Sequence, residues 1–285
     1  MKDFAGKTAV ITGGASGIGR AMGELFLSKG MNVVLADIEP DALHATVAEL
    51  GGEPANCMGV VTDVSKGEQV QGLADAALQR FGEIHVACNN AGVFAGGLCW
   101  EESVADYEWQ MGVNVWGVIH GVRTFVSIMA AQDSQCHIIN TASMAAVTAM
   151  PYAGIYHMTK HSVLALSESL YHELSFHAPN VKVSVLCPEA INTGIAQSER
   201  NRPAQYSGSN DILETAERDV VLQALTESTA AGIGPEVMAQ RVFDAIVEER
   251  FYILSDEEWR VAANVRLDDV REARNPTFAP PLAAE

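Results

Sequence analysis

The chain has 285 residues, 18 of them basic and 36 acidic, which gives a formal net charge of −18. A charge of that sign and size repels phosphate backbones and anionic lipid, so it argues against general binding to nucleic acid or membrane surfaces. Hydrophobic residues make up 48% of the chain, enough for a full core, and five cysteines, an odd number without a CxxC pair, argue against a disulfide framework.

Neither a targeting segment nor a membrane span is predicted. Residues 1–4 are followed at once by a strand-like run, which leaves no room for a signal peptide. Every apolar stretch is interrupted by a charge before it reaches the ~18 residues that a membrane helix needs. We therefore expect a cytoplasmic protein; a small-molecule substrate is expected from the motifs described below.

The first third of the chain alternates short apolar runs with helical patterns. Glycines end the predicted helices, and Ser65 followed by Glu68 is typical of a capping box at the start of the third. Strands are predicted at 7–12, 32–36, 58–61 and 84–88, and helices at 17–29, 40–50 and 65–82.

The rest of the chain keeps this rhythm with two interruptions. Residues 189–235 form a long polar segment after a strand, which predicts a flap over the substrate, and the proline-containing tail at 274–285 is expected to be irregular. Helices are predicted at 103–131 and 152–176, and strands at 137–140, 181–186 and 251–254.

These patterns together predict the fold class. Strands of four to six residues that are nearly all apolar are typical of a parallel sheet covered on both faces by helices. We expect an α/β, doubly wound, Rossmann-like domain of about seven strands that spans residues 1–285.

The first motif that carries chemistry is a glycine-rich loop between the first strand and the first helix. A diphosphate needs backbone N–H groups at a helix N-terminus, with no Cβ atoms in the way. A turn that serves only helix–strand packing is the alternative, but the strand-before, helix-after context favours a nucleotide site. Its predicted contacts are Gly13, Ser16, Gly17, Ile18 and Gly19.

Asp37, at the end of the second strand, predicts which dinucleotide binds. A carboxylate there accepts hydrogen bonds from the ribose hydroxyls and repels a 2′-phosphate. Residues 36–39, which include Ile38, contain no Arg or Lys to hold that phosphate. A surface acid without a role is the alternative; the position favours NAD, with NADP less favoured.

Tyr156 and Lys160 lie four residues apart on a predicted helix and so share one face. A tyrosine has a reference pKa of ~10 and is a poor base at neutral pH, but a nearby ammonium group favours the phenolate. Tyr156 would then exchange a proton with an alcohol oxygen during hydride transfer, and Ser143 would hydrogen-bond the same oxygen. The pair alone occurs by chance in many helices and carries weight only in combination.

In combination, these motifs resemble the classical short-chain dehydrogenase/reductase family over about residues 5–195. The glycine loop, Asp63, the run 89–92, Asn114, Ser143 and the Tyr156–Lys160 pair occur in that family's order and spacing. The resemblance implies a catalytic tetrad of Asn114, Ser143, Tyr156 and Lys160, with Asn114 holding a relay water and Lys160 also binding the nicotinamide ribose.

The resemblance also implies the remaining cofactor contacts. Asp63 and Val64 would meet the adenine, Asn90 would support the sheet, and Thr193 would face the carboxamide. One departure puts the backbone near the nicotinamide in doubt, because the family's Pro-Gly after the sixth strand is Pro188-Glu189 here. Further contacts are expected from Ala91, Gly92, Pro188 and Ile191.

Short matches at 1–4, 191–193, 202–206 and 234–236 are similar to bacterial Cα-dehydrogenases that act on lignin-type aryl ethers. Apolar walls suit a bulky aromatic or alicyclic ketone better than a sugar or a charged acid. Val93 and Ile195 could instead be ordinary core residues. The predicted substrate walls are Val93, Phe94, Met144, Met150, Tyr152, Ile191, Ile195 and Tyr206.

Several alternatives stay open. Among enzymes these are a 3-oxoacyl carrier-protein reductase, which the −18 charge disfavours, and a hydroxysteroid-type dehydrogenase. A non-catalytic NAD-sensing regulator would lack the Tyr or the Lys.

His157 and His161 have the spacing of zinc ligands but no HExxH pattern, so no metal is predicted. The resemblance implies a homodimer or homotetramer through helices 103–131 and 152–176.

Overall fold

A computed structural model describes residues 1–207 and 215–279. Within them seven parallel strands form one sheet, because apolar side chains on both faces of each strand must be buried. The strands are β1 (Thr8–Thr12), β2 (Asn32–Asp37), β3 (Cys57–Val61), β4 (Val86–Asn89), β5 (Cys136–Thr141), β6 (Val181–Cys187) and β7 (Tyr252–Leu254), in the order β3-β2-β1-β4-β5-β6-β7.

Helices cover both faces of the sheet. Successive residues of β1 point to opposite cores: Ile11 packs with α1 and α7, and Val10 packs with α3, α4 and α5. The predicted α/β fold is confirmed. The helices are α1 (Gly17–Ser28), α2 (Pro40–Glu49), α3 (Gly67–Phe81), α4 (Val104–Ala130), α5 (Gly154–His177), α6 (Ala216–Ala230), α7 (Pro235–Glu248) and α8 (Glu257–Arg271).

Two predicted helix starts are wrong. α3 begins at Gly67, and the Ser65 hydroxyl donates to Asp63 Oδ1 at 2.7 Å, so Ser65 does not cap this helix. α5 begins at Gly154 because Tyr152 takes a left-handed φ of +63°, which a helix cannot contain.

α4 is the longest helical stretch and contains two π-helical segments, Met111–Trp116 and Val122–Val126. Length and apolar composition alone would allow this helix to cross a membrane, although Arg123 interrupts its apolar run. Its buried Phe125 and Met129 pack under the sheet, as a core helix of an α/β domain does. A true capping box begins it, formed by Ser103 and Asp106.

The segment after β6, predicted as a flap, is largely helical. It contains 3₁₀ turns at Gly194–Asn201 and Ala204–Tyr206, followed by α6. Part of it, residues 208–214, lies outside the described residues. In the predicted irregular tail, residues 274–279 have no regular structure and residues 280–285 again lie outside the described part.

Candidate active site

The site lies where β1 and β4 are neighbours and the connections leave in opposite directions, which is where doubly wound sheets bind ligands. Asn90, just after β4, joins three strand ends at this point. Its backbone N–H and side-chain Nδ2 donate to Thr12 Oγ1 and Thr12 O at 2.9 and 3.0 Å. Thr141 Oγ1 donates to Asn90 Oδ1 at 3.3 Å, which agrees with the expected supporting role.

The glycine loop has no room for a side chain at several of its glycines. Gly13 and Gly17 have left-handed φ values of +64° and +52°. A Cβ at Gly13 would lie 3.0 Å from Ala91 Cα, and one at Gly17 would lie 2.9 Å from Thr193 Cγ2. A Cβ at Gly19 would overlap the Gly13 carbonyl oxygen, on the buried side of the first turn of α1. Gly19 therefore has a packing role that requires a glycine, and its predicted cofactor contact stays a prediction.

Asp37 is held by the backbone around the glycine loop. Its Oδ2 accepts from the Ala15 N–H at 3.0 Å and its Oδ1 from the Glu39 N–H at 3.2 Å. The loop and the carboxylate therefore have a fixed relative position. The neighbouring strand end is arranged in the same way, since Asp63 Oδ1 accepts from the Ser65 N–H and hydroxyl.

One continuous cavity of about 990 Å³ joins this end of the site to Tyr156 and Lys160. It offers an open glycine cradle at a helix N-terminus, an acceptor carboxylate and a far end with a phenol and an ammonium, so the residues fit NAD. The predicted cofactor residues that line it are Gly13, Ser16, Gly17, Ile18, Asp37, Ile38, Asp63, Val64, Asn90, Ala91, Gly92, Tyr156, Lys160, Pro188, Ile191 and Thr193.

Tyr156 and Lys160 meet at the catalytic end, but their titration differs from the sequence prediction. Lys160 Nζ donates to Thr141 O at 3.1 Å and lies 5.5 Å from the centre of the Tyr156 ring. Burial raises the pKa of Tyr156 to about 12, although a hydrogen bond with Ser143 opposes this, and burial lowers the pKa of Lys160 to about 8. The predicted lowering of the tyrosine pKa is thus absent from the cofactor-free protein, because desolvation of the buried phenol is the dominant influence and the Ser143 hydrogen bond offsets it only in part.

Asn114 is fully buried behind the cavity, in the first π-helical segment of α4. Its Oδ1 accepts from the Val93 N–H and its Nδ2 donates to Val93 O, both at 2.9 Å. Nδ2 also lies 3.2 Å from Thr159 Oγ1, next to Lys160. Asn114 thereby fixes the backbone of the strand-4 loop against α5, and the implied relay water stays a prediction.

His157 holds the loop that carries Ser143. Its Nδ1 donates to Ala145 O at 2.8 Å, and its Nε2 accepts from the Met150 N–H at 3.2 Å. Burial lowers the pKa of His157, which keeps the neutral form that this pattern requires. His161 Nδ1 in turn lies 2.8 Å from His157 O. Both rings are thus bound to the backbone.

Most of the predicted substrate walls line the cavity: Val93, Phe94, Met150, Ile191, Ile195 and Tyr206. The structure does not place the other two predicted residues, Met144 and Tyr152, in the cavity wall. Met144 is buried in a core cluster with Val163 and Val185, and the left-handed turn at Tyr152 leaves Ala153 instead at the cavity. Further walls come from α4 and α6, where the sequence carries no motif that predicts them: Trp109, Val221, Ala224 and Leu225.

Glu189 stands where the resemblance expects a glycine, and the structure supplies its partner. Its Oε1 lies 3.7 Å from Arg241 Nη1 on α7, and Arg241 also pairs with Asp256 at 2.8 Å. The substitution therefore ties the end of β6 to α7 by charge pairing.

A family comparison decides the identity. Residues 7–204 match the family model of the short chain dehydrogenases. The chain belongs to the short-chain dehydrogenase family. Membership confirms the predicted reaction class of this short-chain dehydrogenase, an oxidoreductase acting between alcohols and ketones.

Three relatives of this short-chain dehydrogenase span nearly its whole length. A short-chain dehydrogenase/reductase from Burkholderia phymatum, solved in complex with NAD, is 45% identical with a TM-score of 0.96, covering 99% of this chain and 100% of that one. The 1-deoxy-11-beta-hydroxypentalenate dehydrogenase of Streptomyces exfoliatus is 33% identical over 98% and 93% of the two chains. The C alpha-dehydrogenase of a Sphingobium species is 31% identical over 100% and 92%.

Proposed function

We propose that this dehydrogenase interconverts a bulky, uncharged secondary alcohol and its ketone with NAD. The observation that carries the proposal is the single cavity that connects Asp37 and the glycine loop to Tyr156 and Lys160 and continues between apolar walls. A cofactor site and a hydrophobic substrate site that share one phenol form the arrangement that hydride transfer needs.

The roles of the side chains follow from their positions. Bound NAD supplies the hydride acceptor for the carbinol carbon. Tyr156 takes the hydroxyl proton of the alcohol, and Ser143, which hydrogen-bonds Tyr156, holds the same substrate oxygen. Lys160 places a positive charge beside the phenol, and Asn114 fixes the loop backbone behind both.

NAD rather than NADP is favoured by the carboxylate at the end of β2. Asp37 lies in the cavity wall, held through the Ala15 and Glu39 N–H groups, and would repel a 2′-phosphate. The NAD complex of the Burkholderia relative supports the same choice. Asp37→Ala is expected to raise the Michaelis constant for NAD more than that for NADP.

The substrate class is inferred from the walls beyond the cofactor residues. Phe94, Trp109, Met150 and Leu225 offer aromatic and aliphatic surface, which suits an aromatic or alicyclic substrate. The relatives named for hydroxypentalenate and for Cα oxidation support a bulky secondary alcohol.

The test is a panel of secondary alcohols, from small aliphatic to bulky aryl and alicyclic compounds, with NADH formation followed by absorbance. We expect kcat/KM to rise with the size and apolarity of the alcohol and to be higher with NAD than with NADP. Activity confined to carrier-protein thioesters or to sugars would contradict the proposal.

Three further expectations complete the proposal. Exposed Trp116 on α4 and Tyr171 and Phe176 on α5 support a homodimer or homotetramer through these helices. Light scattering that finds only a 30.5 kDa particle at micromolar concentration would contradict the oligomer.

Residues 189–235 are proposed to act as the substrate flap of a single domain, and the location is proposed to be cytoplasmic.

A further inference from the structure

A charged pair lies near Asp37, at the end of the cavity where the adenosine of NAD is expected to bind. Glu39, which precedes α2, binds Arg200 of the 3₁₀ turn Gly194–Asn201, although 161 residues separate the two. Arg200 Nε and Nη2 lie 3.0 and 2.8 Å from the same oxygen, Glu39 Oε1. Asp37, Glu39 and Arg200 all line the one cavity.

The arginine is held in place independently of the acid. Arg200 Nη1 donates to Gly194 O at 3.1 Å and to Gln197 O at 2.9 Å, within its own 3₁₀ turn. The remaining donors, Nε and Nη2, form the planar fork that binds carboxylates and phosphates in two-point contacts. Glu39 occupies that fork.

Glu39 is also held as the charged form. Asn201 Nδ2 donates to Glu39 Oε1 at 2.8 Å, and this bond, together with Arg200, lowers the pKa of Glu39. An arginine beside the carboxylate that follows β2 is the element by which dinucleotide sites accommodate a 2′-phosphate. Here Arg200 lines the same cavity as Asp37, but its charge is already paired with Glu39.

We propose that Glu39 determines cofactor specificity by occupying Arg200, which is otherwise a ready binding group for a 2′-phosphate. Asp37 repels that phosphate, and Glu39 withholds the cation that would attract it. This proposal rests on the proposed NAD site, and it adds Glu39 to Asp37 as a second acid that disfavours NADP.

The alternative is an ordinary ion pair that only fastens the 3₁₀ turn. Both side chains are roughly one third exposed, and pairs of that exposure contribute little to stability. A second cation, Lys66, lines the same cavity beyond β3 and could also attract a phosphate. The test therefore has to show that any gain in affinity for a 2′-phosphate comes from Arg200 and not from Lys66.

The probes are ADP-ribose and its 2′-phosphorylated form, titrated into the cofactor-free protein by calorimetry. We expect Glu39→Gln to improve the affinity for the phosphorylated probe, relative to ADP-ribose, by roughly five- to tenfold, the size expected of one freed charge contact. The gain should be larger in an Asp37→Ser background. It should disappear in Glu39→Gln/Arg200→Gln and persist in Glu39→Gln/Lys66→Gln.

The matched control is Glu49→Gln, which removes the acid of another exposed pair, Glu49 with Arg20 at 2.6 Å, and should leave the ratio unchanged. An unchanged ratio in Glu39→Gln, or a gain that survives the loss of Arg200, would overturn the inference even if NADH forms normally. An altered ratio without any alcohol oxidation would overturn the proposed reaction instead. If ADP-ribose fails to bind the native protein, both are wrong.

Discussion

Phe94 packs edge-on against Tyr156, with ring centroids 5.2 Å apart and an interplanar angle of 61°. The N–H of Phe94 donates to Ser198 Oγ at 3.1 Å, and the Ser198 hydroxyl donates to Ile195 O at 2.6 Å. The position of the phenol is therefore coupled to the segment that follows β6. Edge-on aromatic pairs contribute about 1 kcal/mol beyond simple burial.

Removing this ring should disturb catalysis more than cofactor binding. We expect Phe94→Ala to lower kcat/KM for the alcohol about tenfold, because Tyr156 loses the partner that fixes its ring. NAD affinity, measured by calorimetry, should change less than twofold. Phe94→Leu, which keeps apolar volume, should lose less. Full kcat/KM in the alanine variant would show that the pair has no positioning role.

A buried charge network fastens the same segment to α4. Arg202 binds Asp106 and, at 2.6 Å, Glu199, and its guanidinium lies 4.3 Å from the centre of the Trp109 ring. Because each change leaves a buried charge without one of its close partners, Asp106→Asn and Arg202→Met should each lower the free energy of unfolding by about 3 kcal/mol. Urea denaturation measures this.

The control for that prediction is Asp268→Asn, at an exposed pair with Arg271 of α8, where the loss should stay below about 1 kcal/mol. Equal losses at the buried and the exposed pair would contradict the assigned importance of the network.

Glu102 makes the network sensitive to pH. Its pKa is raised from 4.5 to about 7 by burial and by Asp106, against the opposing charges of Arg218 and Arg202. Between those values the folded protein binds a proton that the unfolded chain releases, so this group's contribution to stability is lost as pH rises from about 4.5 to 7.

Glu102→Gln should remove that dependence. Relative to the native protein, the variant should gain about 1–3 kcal/mol in unfolding free energy between pH 5 and pH 8, measured by urea denaturation at each pH. Glu101→Gln, at the exposed neighbouring acid, should show no such trend. A gain that does not change with pH would contradict the raised pKa.

The sequence predicts the sheet and the catalytic motifs because their residues lie within short runs whose spacing has a physical meaning. Alternating apolar runs require a covered parallel sheet, and Tyr156 and Lys160 share a helix face by periodicity alone. Lys160, however, donates to the Thr141 carbonyl in a buried site, so residue types alone gave the wrong direction for the Tyr156 pKa.

Contacts between distant segments were not predictable. Arg200 reaches Glu39 across 161 residues and Arg202 reaches Asp106 across 96. From sequence alone, a charged residue in a polar segment is expected to be solvated, because its distant partner is known only once the fold is known. Met144 lies in a short 3₁₀ turn, and its side chain packs into the core and not into the cavity. A turn this short has no periodic pattern that would predict which way the side chain points.

The titration of Tyr156 can be observed directly. In the cofactor-free protein, a difference absorbance titration of native protein against Tyr156→Phe should show no tyrosinate signal from Tyr156 below about pH 10, since burial holds its pKa near 12. A phenolate signal near neutral pH without NAD would contradict the desolvated state described above.

The central claim is that the Tyr156 hydroxyl carries the substrate proton while the dinucleotide is held mainly by other residues of the same cavity. The most direct measurement compares Tyr156→Phe with Tyr152→Phe, the same change at a side chain outside the cavity wall. For Tyr156→Phe we predict a loss of about 10²–10⁴ in kcat for alcohol oxidation with NAD affinity unchanged, and near-native activity for Tyr152→Phe. Alcohol oxidation at the native rate by Tyr156→Phe would contradict the account.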